Sequence, residues 1–137
     1  VADINADTGQ ETVRAIRDAG GQAFFVRADV SRMDEVERMV REATEGLGRL
    51  DIFWHNAGIA GPGAVDNTSE EAYDLTMATH VKAGFFGARH AANEMKKSGG
   101  GAILFTSSLA GLKASRGVFS IAPGLSDLSG LVSTKAA

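Results

Sequence analysis

The chain has 137 residues with 44% hydrophobic and 23% charged side chains, the composition of one ordinary globular domain. Its net charge of −3 and the lack of a long basic run argue against nucleic acid and anionic membrane as partners. It has no cysteine, which excludes disulfides and thiolate metal sites. It also has no apolar stretch as long as a membrane span, and together these features lead us to expect a cytoplasmic protein.

The first half of the chain alternates between strand-like and helix-like segments. Asp7, with Gln10 three residues later, predicts the N-terminus of the first helix. Ser31 predicts the cap of the second helix, whose apolar residues recur at helical spacing from Met33 to Leu47. The predicted elements are a strand over 1–4, a helix over 7–19, a strand over 22–28 and a helix over 31–47.

The second half continues the alternation. An almost continuous apolar run begins at Leu50 and is typical of a buried parallel strand. Thr68, with Glu71 three residues later, predicts the start of a long helix. This helix is apolar on two sides, so we expect one side to pack on a sheet and the other to be available to a second subunit in a homo-oligomer. The predicted elements are a strand over 50–55, a glycine-rich loop over 58–67, a helix over 69–97 and a strand over 102–106.

The regular alternation of strands and helices predicts an α/β domain with a doubly wound parallel sheet. No repeat family fits the sequence and no domain boundary is visible in it. In open sheets of this kind, ligands bind outside the carboxyl ends of the strands. Polar side chains at those ends are therefore the first candidates for a functional site.

Two segments that follow predicted strands carry a resemblance to a known family. One is Asn56-Ala57-Gly58 after the strand 50–55, and the other is Thr106-Ser107-Ser108 followed by Leu109-Ala110-Gly111. Small, backbone-permissive residues suit a strand end where a flat ligand lies close to the main chain. The chain resembles the short-chain dehydrogenase/reductase family over nearly all of residues 1–111.

The resemblance implies an incomplete Rossmann-like sheet, with residues 1–137 forming a single partial dinucleotide-binding domain. The visible strands correspond to the second to fifth of the family's sheet, whose order 3-2-1-4-5 places the absent first strand between two of the visible strands. The family's glycine-rich phosphate loop belongs to a unit upstream of Val1, and the chain looks cut at both ends. Because the cofactor crevice lies beside that absent strand, we expect the isolated chain to bind NAD weakly.

Several strand-end residues are expected to bind the cofactor. An acidic residue in the position of Asp3 binds the adenosine ribose hydroxyls and repels a 2′-phosphate, which predicts NAD over NADP. The resemblance implies that Asp29 meets the adenine amino group, that Val30 packs on the ring, and that Asn56-Ala57-Gly58 lines the nicotinamide-ribose pocket. Each position has a structural alternative, namely a surface turn at Asp3, a turn before a helix cap at Asp29, and an ordinary strand-to-loop turn at the tripeptide.

The family's catalytic residues are only partly present. The resemblance implies that Ser108 hydrogen-bonds the reacting oxygen of the substrate while hydride moves. The family's acid/base Tyr and the Lys four residues later fall on Ile121 and Leu125 at the usual spacing. A second alignment, with an insertion, places the Lys on Lys135 but leaves Leu131 in the Tyr position. Neither alignment supplies the acid/base.

Two other residues bear on proton transfer. Tyr73 is the only tyrosine and lies in the long helix, which makes it a poor substitute for the missing acid/base. His80 occupies a helix position where the family often has Asn. In the family this position lies at a local kink of the helix, and a water molecule there links it to the active-site Lys. His80 is a candidate to hold a water or relay a proton, and the alternative is a packed, hydrogen-bonded core histidine. His55 and His90 lack paired ligand spacing, so no metal site is expected.

Three functional hypotheses remain. The first is an NAD(P)-dependent oxidoreductase that moves a hydride between the cofactor and a small-molecule alcohol or ketone, with this chain catalytically incomplete. The second, motivated by the missing tyrosine, is a non-catalytic dinucleotide-binding or scaffold relative on the same fold. The third is a fragment that acts only through its helix surface, by association.

Overall fold

The structure, a computed structural model, describes residues 1–60 and 67–108. The alternation predicted from the sequence is confirmed, although the paired parts of the strands are short. The elements are β1 (Ala2–Asp3), α1 (Ala6–Asp18), β2 (Val26–Arg27), α2 (Met33–Leu47), β3 (Ile52–His55), α3 (Glu70–Met77), a π-helical turn (Ala78–Lys82), α4 (Ala83–Lys97) and β4 (Ala102–Phe105).

The strands form two parallel pairs. β1 pairs with β2, and β3 pairs with β4 in a register that sets His55 opposite Phe105. Within the described residues no ladder joins β1 to β3, so each pair has an unpaired edge. The carbonyl groups of Asp51 and His55 accept hydrogen bonds from the N–H groups of Ala102 at 2.8 Å and Thr106 at 3.1 Å. The intervening residues Ile52 and Trp54 therefore turn their backbone groups toward the unpaired edge.

Helices cover both faces of the β1–β2 pair. The aromatic ring of Phe24 lies against Gly46 of α2, and the ring of the next residue, Phe25, lies against Gly9 of α1. Successive side chains of an extended chain point to opposite faces, so α1 and α2 are on opposite sides. This arrangement confirms the prediction of a doubly wound parallel α/β fold.

The core spans both strand pairs because α2 and α4 pack together on the same face. Gly87 of α4 lies close to the ring of Phe53 in β3, which brings the helix near the strand backbone. Phe24, Phe53 and Ile103 are partly buried against this core. Its buried members are Val26, Ala28, Met39, Val40, Leu50, Ala91 and Met95.

The start of α1 differs from the sequence prediction. Asn5, in an extended conformation, is the N-cap, and its Oδ1 atom accepts hydrogen bonds from the N–H groups of Asp7 at 2.9 Å and Thr8 at 3.3 Å. The predicted cap, Asp7, lies in the first turn instead, where its negative charge stabilises the helix dipole. The chain turns directly after β1, so the first side chain able to cap is Asn5.

The starts of α2 and α3 also correct the prediction. Arg32 is the N-cap of α2 and makes no side-chain capping bond, while the hydroxyl group of Ser31 donates to Asp29 at 2.7 Å. The N-cap of α3 is Ser69, whose Oγ atom accepts from the N–H of Ala72 at 3.3 Å, one residue after the predicted Thr68. The predicted end of α2 at Leu47 is confirmed. The next residue, Gly48, adopts a positive φ and ends the helix.

The long helix predicted over 69–97 is observed as α3, the π-helical turn and α4 in direct succession. It has a buried side, which includes Thr79 and Met95, and an exposed side, which includes Leu75 and Phe85. The π-helical turn adds a residue to one turn and so shifts the helical phase between α3 and α4. None of the described helices has the length and apolar character to cross a membrane.

Candidate functional site

A cleft of about 570 Å³ opens between the two strand pairs. The carboxyl ends of β1, β2 and β3 all border it, as the sheet topology requires. The structure therefore brings together the six residues predicted to bind a cofactor. These are Asp3, Asp29, Val30, Asn56, Ala57 and Gly58.

The two carboxylates of the cleft each hold a local turn. The Oδ1 atom of Asp3 accepts from the N–H of Asn5 at 2.8 Å, and Oδ1 of Asp29 accepts from both the N–H and the hydroxyl of Ser31. Among the described residues, no hydrogen bond reaches the Oδ2 atom of either side chain. The structural alternative raised for each Asp is thus observed, and one carboxylate oxygen of each remains for a ligand.

Asn56 is held by a chain of side-chain hydrogen bonds across β3 and β4. The indole N–H of Trp54 donates to the hydroxyl oxygen of Thr106 at 2.9 Å. That hydroxyl donates to Oδ1 of Asn56 at 2.6 Å. Asn56 comes directly after β3 and Thr106 directly after β4, so the pairing of the two strands places them side by side.

A second network holds the other end of the same segment. The Nε2 atom of His80, in the π-helical turn, lies 2.9 Å from both the nitrogen and the oxygen of the Ile59 backbone. Nε2 of His55 lies 3.1 Å from the carbonyl oxygen of His80, so the neutral ring of His55 donates to it. Burial lowers the pKa of His55 from its ordinary value, which keeps the ring neutral near pH 7. The Asn56–Ile59 segment is consequently fixed at both of its ends.

Of the three predicted catalytic residues, the structure describes Ser108 and His80. Ser108 is exposed three residues after β4, at the same sheet end as Asn56. Lys135 lies outside the described residues, as do Ile121, Leu125 and Leu131 of the two alignments and residues 61–66 of the glycine-rich loop. Tyr73 does not line the cleft. Nε2 of His80 hydrogen-bonds the Ile59 backbone, so this half-buried side chain shows the hydrogen-bonded part of the structural alternative considered for that histidine.

Sequence reasoning did not find Trp54, Thr106 or Ile59 as parts of the site. The signal for the first two was incomplete, because pairing the strand 50–55 with the strand 102–106 from their first residues would set Asn56 opposite Ser108. The observed register pairs Ile52 with Ala102 and so brings Asn56 beside Thr106. The contact of Ile59 with His80 depends on the path of a loop, and no periodic pattern encodes that path.

The parallel strand pairs and the helices on both of their faces define a class, the doubly wound α/β domains. Comparison with known proteins identifies the family within this class. The family model described as short chain dehydrogenase matches residues 1–120. The chain therefore belongs to the short-chain dehydrogenase family of NAD(P)-dependent oxidoreductases, as the resemblance in the sequence implied.

Two relatives illustrate the similarity in sequence. The chain is 45% identical over 112 residues to an uncharacterized oxidoreductase of Thermotoga maritima, covering 82% of this chain and 44% of the relative. It is 37% identical over 113 residues to 7alpha-hydroxysteroid dehydrogenase of Escherichia coli, covering 80% of this chain and 43% of the relative. The chain thus spans less than half the length of these relatives.

Solved structures show the same fold. A 7α-hydroxysteroid dehydrogenase in complex with NADH and 7-oxo glycochenodeoxycholic acid matches with a TM-score of 0.84 and 32% identity, over 96% of this chain and 51% of that one. A short-chain dehydrogenase/reductase of Mycobacterium marinum matches with a TM-score of 0.87 and 29% identity, over 96% and 56% of the two chains. The fold of this chain is therefore the fold found in about half of each of these longer chains.

Proposed function

We propose that the protein carrying this chain is an NAD-dependent oxidoreductase that transfers a hydride between the nicotinamide and a small-molecule alcohol or ketone. The observation that carries the proposal is the convergence of six strand-end residues on one cleft at the carboxyl side of the parallel strands. Their chemistry suits a dinucleotide, which needs acceptors for its hydroxyl groups, donors for its oxygens and apolar surface for its rings.

Each residue of the cleft has a role in this proposal. Asp3, with one carboxylate oxygen open, accepts hydrogen bonds from the adenosine ribose and disfavours a 2′-phosphate by charge repulsion, which supports NAD over NADP. Asp29 accepts from the adenine amino group, and half-buried Val30 gives the ring an apolar surface. The segment Asn56-Ala57-Gly58 lines the nicotinamide-ribose end.

The substrate end of the site rests on fewer residues. The nicotinamide, when bound, supplies or accepts the hydride. Ser108, at the same sheet end as Asn56, donates a hydrogen bond to the reacting oxygen and stabilises the charge that develops on it. We assign to Lys135 the binding of the cofactor ribose. His80 acts on the site through Ile59 and has no direct part in proton transfer.

The isolated chain is expected to bind NAD weakly. The unpaired edges of β1 and β3 lie beside the cleft, and the backbone groups of Ile52 and Trp54 face the unpaired edge of β3. An edge without a neighbour leaves backbone groups exposed to water and leaves one wall of the cleft open. Titration of the chain with NADH, followed by Trp54 emission, is expected to give a dissociation constant well above micromolar; micromolar affinity would contradict this part of the proposal.

The second candidate is a non-catalytic dinucleotide-binding relative, and the specific observation in its favour is that none of the described residues lining the cleft is a tyrosine. Turnover separates the two candidates. The protein carrying this chain is incubated with NAD and a panel of secondary alcohols, and with NADH and the matching ketones, while NADH absorbance is followed. Turnover that is lost on Ser108→Ala supports the oxidoreductase. Tight NADH binding without turnover of any substrate supports the non-catalytic relative.

We further propose a cytoplasmic homo-oligomer that associates through the outer side of the helix over 69–97. A groove of about 530 Å³ on that side is lined by apolar residues including Met77, Val81 and Phe85, and Phe85 is 51% exposed. Exposed apolar surface of this kind marks association sites. Sedimentation should show an oligomer that Phe85→Glu converts to a monomer; a monomeric wild-type protein would refute the association.

A further inference from the structure

One face of the β3–β4 pair carries a hydrogen-bonded group of side chains that no helix covers among the described residues. Phe53 and His55 of β3 point toward α4, where they contact Gly87 and Gly84. The alternate residue Trp54 therefore points to the opposite face, and it is 62% exposed. On that face its indole reaches across the strand pair to the Thr106 hydroxyl, next to Asn56.

The direction of the hydrogen bonds in this group is fixed by its chemistry. An indole N–H can only donate, so the oxygen of Thr106 accepts from Trp54. The hydroxyl proton of Thr106 is then available to Asn56. The separation of 2.6 Å between the Thr106 hydroxyl and the nearest side-chain atom of Asn56 is typical of an O–H···O bond and short for N–H···O. The amide of Asn56 therefore turns its oxygen to Thr106 and its NH₂ group elsewhere.

We propose that Thr106, itself fixed by Trp54, is a positioning residue that sets the orientation of the Asn56 amide. With its oxygen engaged, Asn56 presents two N–H donors to the cleft and recognises a ligand through acceptor atoms. The ligand class this selects is an oxygen-rich group, such as the hydroxyl and ring oxygens of a ribose. This assignment of the ligand rests on the proposed binding of a dinucleotide in the cleft. A side-chain amide without such a partner is free to rotate and offers either its oxygen or its nitrogen.

The orientation can be tested in the chain itself, because Trp54 is the only tryptophan and gives a single indole N–H signal in an NMR spectrum. Thr106→Val keeps the shape of the side chain and removes the hydroxyl, and Thr106→Ser keeps the hydroxyl. We expect Thr106→Val to speed hydrogen exchange of the indole N–H about fivefold, the factor that corresponds to loss of one net hydrogen bond. It should also shift the side-chain amide signals of Asn56.

The serine variant supplies the discriminating result. Thr106→Ser should retain the wild-type exchange rate and Asn56 signals, because the hydrogen bonds need only the hydroxyl. An unchanged indole exchange rate in Thr106→Val would overturn the hydrogen-bond chain. Equal behaviour of Thr106→Ser and Thr106→Val would show that packing, and not the hydroxyl, holds Asn56, and would overturn it as well.

The consequence for ligand binding is measured in the protein carrying this chain, by NADH titration. Thr106→Val should weaken NADH binding about fivefold and Thr106→Ser should leave it unchanged. The matched control is Thr12→Val on exposed α1, whose hydroxyl donates to the carbonyl of Thr8 at 3.0 Å far from the cleft; it should leave affinity unchanged. Equal affinity of Thr106→Val and wild type overturns the positioning role. Absence of NADH binding by the wild-type protein overturns the proposed function and with it the ligand assigned to Asn56, whatever the NMR result.

Discussion

The packing of α4 on β3 makes Gly87 the position where a small change should have a measurable effect. A Cβ atom at this position would lie 2.6 Å from Cζ and 3.2 Å from Cε1 of the Phe53 ring. Alanine gains about 1 kcal/mol over glycine in helix propensity, whereas overpacking a filled contact costs about 1–3 kcal/mol. Phe53 packs against the buried core, so the ring cannot swing aside freely. We expect Gly87→Ala to destabilise the fold by roughly 1 kcal/mol, or about 4 °C in Tm.

Thermal unfolding followed by circular dichroism measures this effect. Asn93→Ala, on an exposed position of the same helix, is the matched control; it gains helix propensity without a clash and should raise Tm. In the double variant Gly87→Ala/Phe53→Leu the smaller side chain gives room for the new methyl group, so the two changes should be non-additive by at least about 0.5 kcal/mol. A rise in Tm for Gly87→Ala equal to that of Asn93→Ala would refute the close approach of α4 to β3.

Other predictions concern titration, capping and cofactor choice. Burial lowers the pKa of His55 below its ordinary 6.5, so the unfolded state binds the proton more readily than the folded state. The contribution of His55 to stability is complete above pH 6.5 and is lost as the pH drops below that value, so the stability of His55→Gln should fall less steeply between pH 7 and 5. Identical pH profiles of the two proteins would count against the buried neutral ring. Asn5→Ala should lower the free energy of unfolding by about 1 kcal/mol in urea titrations while Asn5→Asp retains it, and equal losses would argue against the cap. Asp3→Ser should shift the ratio of NADP to NAD affinity about tenfold toward NADP in the protein carrying this chain, with exposed Asp18→Asn as a control that leaves the ratio unchanged.

The order of elements could be predicted from the sequence because apolar periodicity reports which segments have a face to bury. The apolar residues between Met33 and Leu47 recur at helical spacing, and the structure has a helix over this range. The helix starts could not be predicted as well, because several capping residues compete within a few positions. Asn5 rather than Asp7 caps α1, since the end of β1 decides where the chain turns.

The cleft residues could be predicted because the carboxyl ends of parallel strands meet at one edge of a sheet. That rule places Asp3, Asp29 and Asn56 together without any knowledge of the loops. The partners that orient them could not be predicted in the same way. The bond from Thr106 to Asn56 depends on the register between two strands that are 50 residues apart in sequence, and the π-helical turn at His80 breaks the regular helical period.

The central claim is that a dinucleotide binds in the cleft at the carboxyl ends of β1, β2 and β3. The most direct measurement is a two-dimensional ¹H–¹⁵N NMR titration of the 137-residue chain with NADH up to millimolar concentration, which detects weak binding residue by residue. The account predicts that the backbone signals of Asp3, Asp29 and Gly58 shift together along one saturation curve. Shifts concentrated on the outer side of the long helix near Phe85, or no shifts at any concentration, would contradict it.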